Sequence, residues 1–83
     1  MRDHVILGLH VTDRVQQVPN VQGLLTKYGA QIRTRLGLHD VHGPNSPAGL
    51  IVVEIESEIE ADKLKRELEA IQGVHVQKMV FKH

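Results

Sequence analysis

Six histidines are the side chains of this sequence best suited to chemistry, because imidazole binds transition metals and titrates near neutrality. His39 and His42 lie close together in a segment rich in glycine, asparagine and proline, whereas His10 ends one apolar run and His75 begins another. The sequence contains no cysteine, which excludes thiolate metal ligands, disulfides and thiol catalysis. A metal site here would have to use imidazoles and carboxylates.

The elements that position these histidines form a unit that occurs twice along the chain. In each copy, a strand-like run leads into an amphipathic helix closed by glycine, and a second strand follows. The first copy comprises His4–Thr12, Val18–Tyr28 with Gly29, and Ala30–Leu38. The second comprises Ala48–Glu56, Ser57–Gln72 with Gly73, and Val74–Phe81. Residues 1–83 are therefore predicted to form one α+β domain, a ferredoxin-like βαββαβ sandwich with a four-stranded antiparallel sheet of order 4-1-3-2 and both helices on one face.

Helix one has a clear apolar face but an ambiguous start. Pro19 suits the first turn of a helix and would break an interior. Helix one is therefore expected to begin near Val18, or to be preceded by a separate turn over residues 14–17. Gly29 is expected to end it in the left-handed conformation.

Helix two shows the clearest local signals. Ser57 with Glu60 three positions later is a capping box, which predicts that the helix begins directly after Ser57. Its early carboxylates complement the helix dipole and indicate a solvated helix face rather than a catalytic acid–base pair. Two intrahelical ion pairs are also expected, Asp62 with Arg66 and Lys65 with Glu69.

The sheet face opposite the helices is predicted to carry an apolar patch. Monomers rarely expose large contiguous patches, so a homodimer or homotetramer is expected. Alternation along strand two also places Arg33 and Arg35 on this face, where intersubunit salt bridges are the expected role. The apolar residues of the patch are Ile6, Leu50, Val52, Met79 and Phe81.

The predicted topology gathers histidines at one rim of the sheet. The ends of strands one and two and the starts of strands three and four meet at that edge, and the adjacent strands one and four bring His10 opposite His75. Asp13 and Asp40 join them there. Such a cluster could bind zinc, nickel or another divalent ion; solvated edge histidines or a pH-sensitive interface are the alternatives. The candidate metal ligands are His10, His39, His42 and His75.

Composition and missing motifs exclude several functional classes. The 83 residues carry zero formal net charge and contain one Tyr, one Phe and no Trp, which argues against nucleic-acid binding. There is no phosphate-binding glycine loop and no Gly-x-Ser-x-Gly elbow, so an enzyme is not expected. No apolar run reaches the roughly 20 residues of a membrane span, and no signal-peptide pattern precedes the first strand. We expect a cytoplasmic protein with no membrane partner.

Two pairs of segments resemble known regulatory proteins. Ile6–Arg14 with Leu24–Ile32 resembles the opening of an ACT domain: a strand, Asp-Arg, a helix and a small turn into strand two. Tyr28–Leu38 with Ile71–Lys78 resembles the small stand-alone proteins called iron-only hydrogenase system regulators. Those proteins are ACT-like and akin to the C-terminal domain of the nickel-responsive repressor.

The resemblance implies a non-catalytic, oligomeric module that acts as a transcriptional or metabolic regulator. In ACT domains a small ligand, often an amino acid, binds at a subunit interface near the loop after strand one, which here is Asp13, Arg14 and Val15. The chain departs from the ACT pattern at Val15 and Gln16, where a glycine is usual, and it lacks both the cysteine ligand and the DNA-binding ribbon of the nickel repressor. The alternative to an effector-binding module is a histidine-based nickel or zinc protein.

Overall fold

The computed structural model describes residues 3–12, 14–38 and 49–82, and their elements follow the predicted βαββαβ order. The sheet order is β2-β3-β1-β4 with all neighbours antiparallel, which is the predicted order read from the opposite edge. No helix in these three ranges is long and apolar enough to cross a membrane. The elements are β1 (His4–Val11), α1 (Arg14–Lys27), β2 (Ile32–Leu38), β3 (Gly49–Ile55), α2 (Glu58–Glu69) and β4 (Val74–Phe81).

One apolar core lies between the sheet and the two helices. Alternate residues of the central strand β1 point into it, because successive side chains of a strand face opposite sides of the sheet. The α1 residues Val21 and Leu25 and the α2 residues Leu64 and Leu68 are fully buried against them. Burying each such side chain contributes about 1.5–3 kcal/mol, so this layer holds both helices on one face. The β1 core residues are Val5, Leu7, Leu9 and Val11, as predicted.

Helix α1 begins four residues earlier than one of the sequence predictions, and no separate turn precedes Pro19. It runs continuously from Arg14 and contains Pro19 as an interior residue. Proline has no N–H, so the helix loses the one bond that this position would donate to the carbonyl of Val15. Buried contacts of the apolar face further along α1 outweigh that loss, which local sequence signals could not reveal.

The two helix-closing glycines act differently. Gly73 has the left-handed conformation, with φ 83°, whereas the prediction of that conformation for Gly29 is wrong. Gly29 instead lies in a tight turn where its N–H donates to the carbonyl of Thr26 at 3.1 Å. A Cβ at Gly29 would come within 3.1 Å of that same oxygen. A side chain at Gly29 would require this neighbour to shift by a few tenths of an ångström, so close packing rather than a positive φ favours glycine there.

A bulge in β2 reverses the predicted facing of Arg35. Ile32 lies opposite Ile55, but Thr34 lies opposite Glu54, so Arg33 is an extra residue in the strand. Every later residue of β2 moves to the other face. Arg35 therefore lies on the helix side and donates a hydrogen bond to Gln22 of α1 rather than facing a partner subunit.

Helix α2 begins where the sequence predicts. The Ser57 hydroxyl accepts a hydrogen bond from the N–H of Glu60 at 3.2 Å, and the helix starts at Glu58. The predicted pair of Lys65 with Glu69 is present at 3.1 Å. Asp62 instead binds a lysine of β4, a long-range contact that the helical spacing could not predict.

Candidate functional site

A pair of histidines marks one end of the sheet face away from the helices, here called the open face. His10 of β1 lies directly opposite His75 of β4, and the centroids of the two exposed rings are 6.3 Å apart with an interplanar angle of 27°. Next to this pair, both the N–H and the hydroxyl of Thr12 donate to the carbonyl of Gly73, at 2.8 and 2.9 Å. These bonds fix the register that holds the predicted histidine pair together.

The other predicted metal ligands, His39 and His42, lie outside the described residues, as does Asp40. Within the described ranges, no group of three or more His, Cys, Asp or Glu side chains is placed to hold a metal ion. The metal site therefore stays a prediction. The structure brings together two of its four candidate ligands, His10 and His75.

The predicted effector site after β1 also stays a prediction. Asp13 lies outside the described residues. Arg14 and Val15 are the first two residues of α1, so the site would lie at the N-terminus of that helix.

The predicted apolar patch lies on the open face, together with one residue that sequence reasoning missed. Leu50, Met79 and Phe81 are between 42% and 53% exposed, and Ile6 and Val52 are half-buried beside them. Leu36 joins this group at 53% exposure because the β2 bulge turns it outward. Only a recognisable bulge signal could have placed it there, and the sequence of β2 has none.

A trough runs across the open face at Gly8. It consists of two adjoining depressions that share Gly8 and Gln77. The first, about 370 Å³, reaches to Leu50 and the histidine pair. The second, about 350 Å³, is lined by Ile6, Val52, Gln77, Lys78 and Met79. The trough therefore has a polar end at the histidine pair and an apolar end near Ile6.

One contact between charged groups on the open face lies at the end away from the histidine pair. The Nδ1 atom of His4 is 2.6 Å from a carboxylate oxygen of Glu54. Glu54 lies opposite Ile6 of β1, and His4 lies opposite Phe81 of β4. Within the described part of this face, the Glu54 carboxylate thus lies at the apolar end of the trough.

On the helix side, one lysine ties the sheet to α2. The ammonium of Lys78 binds carboxylate oxygens of Asp62 and Glu58, each at 2.7 Å. The hydrogen bond to Asp62, followed in effect by the hydrogen bond to Glu58, raises the pKa of Lys78. The hydrogen bond from Lys78 lowers the pKa of Glu58. Lys78 lines the trough, but its ammonium lies on the helix side with these two carboxylates, so the charged groups serve the fold rather than a site.

Comparisons with known proteins support the architecture. The structure of the uncharacterized protein TM1266 from Thermotoga maritima matches with a TM-score of 0.83 and 24% identity over 98% of both chains. A formyltetrahydrofolate deformylase from Pseudomonas putida matches with a TM-score of 0.57 and 18% identity, over 92% of this chain and 28% of that one. No protein-family profile and no curated protein matches the chain. At these identities the likeness shows the fold alone. That fold is the predicted ferredoxin-like sandwich.

Proposed function

We propose that the protein is a non-catalytic, ACT-like regulatory module that acts as a homo-oligomer and binds a small effector. The observation that carries this proposal is the open face, where large apolar side chains lie around a trough on one side of a single small sheet. TM1266 shares this fold over nearly its whole length, which supports the architecture of the module. The sequence resemblance makes the iron-only hydrogenase system regulators the family we propose.

The open face is small, so self-association through it would have to use nearly the whole face. Four strands about 4.8 Å apart and about eight residues long cover roughly 500 Å² before side-chain relief is counted. A stable interface buries about 800 Å² of accessible surface on each partner. A second copy must therefore cover most of the face, which would remove Leu36, Leu50, Met79 and Phe81 from water.

Sedimentation velocity over a range of concentrations tests this proposal. We expect a dimer or tetramer at micromolar concentration, with a melting temperature that falls on dilution because association stabilises the folded chain. A monomer whose melting temperature is independent of concentration contradicts the homo-oligomer.

A second candidate function rests on the histidine pair. His10 and His75 could anchor nickel or zinc if His39 or His42 completed the ligand set. Calorimetric titration of untagged protein with each metal, and of a His10→Ala, His75→Ala double variant, tests it. Binding by the parent that is lost in the variant and in acid favours the metal protein, since imidazoles must be deprotonated to bind. Absence of heat from the parent rejects it.

A further inference from the structure

We propose that the trough at Gly8 binds a small carboxylic acid with an apolar tail. The carboxylate would lie at the histidine pair, and the tail would lie over Gly8 against Ile6 and Val52. This inference deepens the proposed effector-binding function by naming a site and a ligand class. It places the ligand on the open face rather than in the loop after β1, so the proposed oligomer would enclose the ligand between two copies.

Gly8 leaves open space in the middle of β1. A Cβ built on Gly8 meets no atom within 4 Å, and its φ is not in the left-handed region. Neither crowding nor backbone conformation therefore requires glycine at this position, although glycine inside a strand costs about 0.5–1 kcal/mol relative to alanine. A glycine in the middle of a strand often marks close approach of a ligand or another backbone. Here the missing side chain forms the floor of the trough.

The shape and lining of the trough also fit a small molecule. Val52 and Gln77 lie directly opposite Gly8 on the two neighbouring strands and form the side walls. Ile6 and Met79 close the apolar end. Each depression, at about 350–370 Å³, reaches the size of a pocket for a small molecule, whose lining is typically apolar with a few polar groups.

Among the described residues, the polar groups around the trough favour a carboxylate at the histidine pair and an apolar tail at the opposite end. An imidazole keeps an N–H donor even when neutral, so His10 and His75 can each donate to a carboxylate oxygen. Gln77, which lies beside Gly8 in the same depression, carries a further amide donor. At the opposite end, Glu54 would repel an anion, although His4 lies beside it. The ammonium of Lys78 is held on the helix side and does not compete.

The spacing fits an aromatic acetic acid. His10 lies two positions after Gly8 along β1, a distance of about 7 Å. Phenylacetate can therefore extend from the histidine pair to the space over Gly8. Phenylacetamide has the same shape without the charge and provides a matched ligand.

The test is a titration of ¹⁵N-labelled protein with phenylacetate in metal-free buffer, followed by amide chemical shifts. We expect saturable shifts centred on Gly8, Gln77 and His75, and at least tenfold weaker binding of phenylacetamide. Gly8→Val fills the trough and should abolish these shifts, whereas the fold is retained because the added side chain enters open space. The control is Gly37→Val, a strand position of β2 where a Cβ also meets nothing within 4 Å. It lies opposite Ile51, away from the trough, and should leave binding unchanged.

The outcomes separate this inference from self-association. Absence of saturable shifts in the parent, or binding retained in Gly8→Val, overturns the trough site. Equal binding of the acid and the amide overturns the role of the histidine pair. The sedimentation mass is measured on the same samples. A monomer that binds phenylacetate contradicts only the homo-oligomer, and an oligomer that fails to bind contradicts only the trough.

Discussion

A tyrosine and a glutamate link the ends of the two helices. Glu67 of α2 accepts hydrogen bonds from the Tyr28 hydroxyl and, at 2.9 Å, from the ammonium of Lys27. The hydrogen bond from Tyr28, followed by that from Lys27, lowers the pKa of Glu67, and its hydrogen bond to Glu67 raises the pKa of the buried Tyr28. Both shifts favour the folded state at neutral pH. The stabilisation from Glu67 is complete above the ordinary carboxyl pKa and is lost as the pH falls through the lowered value.

Glu67→Gln should therefore lower the melting temperature at pH 7, because it removes the charge that both donors favour. The difference from the parent should begin to narrow as the pH falls below the ordinary carboxyl pKa, and should close as the parent carboxylate is protonated at its lowered pKa. Thermal unfolding followed by circular dichroism between pH 3 and 7 measures this. Glu69→Gln, which removes only an exposed pair with Lys65, is the control and should have a smaller effect. A difference that stays constant across this range would contradict the proposed coupling.

The Ser57 cap gives a second prediction at the level of one residue. Ser57→Ala leaves the N–H of Glu60 without its side-chain acceptor and should cost about 1 kcal/mol. In a domain of this size that corresponds to a fall in melting temperature of about 4–8 °C. Ser57→Asp retains an acceptor and should restore most of the loss. An unchanged melting temperature for the alanine variant would show that the cap is not stabilising.

At the level of elements, the sequence predicted the features that depend on residues close together in the chain. The bounds of β1 and the start of α2 follow from alternation and from the Ser57 cap, which act within a few residues. The first turn of α1 and the bulge at Arg33 were not predictable in this way. The first turn of α1 depends on buried contacts with distant elements, which outweigh the local preference of Pro19. The bulge depends on how β2 packs against β3.

Pro19 offers a direct test of that balance. Proline in a helix interior is about 3 kcal/mol less favourable than alanine, and the restriction it places on the unfolded chain returns only about 1 kcal/mol. Pro19→Ala should therefore stabilise the protein by about 1–2 kcal/mol, measured by urea unfolding. Asn20→Ala, at the next exposed position, should change the stability by less than about 0.5 kcal/mol. A destabilised Pro19→Ala variant would show that the proline supports the start of α1.

At the level of the whole molecule, the candidate site could be predicted only in part. The pairing of His10 with His75 follows from the order of the strands, and the structure confirms it. The trough, in contrast, requires Val52, Gly8 and Gln77 to lie side by side on three strands. The pairing of His10 with His75 already puts Gln77 opposite Gly8, but the place of Val52 depends on the register of β1 with β3, which the sequence patterns left open.

The open face provides the last prediction, which concerns assembly. Met79 lies half-exposed beside Ile6, so Met79→Lys should leave the isolated chain folded while it places a charge in any interface formed by this face. Burial of an unpaired charge is strongly unfavourable, and we expect at least a tenfold weaker association by sedimentation velocity. Ile59→Lys is the matched control, because Ile59 is 71% exposed on α2 and lies in the helix layer. A loss of association caused by Ile59→Lys alone would place the interface on the helices, whereas loss caused by Met79→Lys alone supports an interface of two open faces.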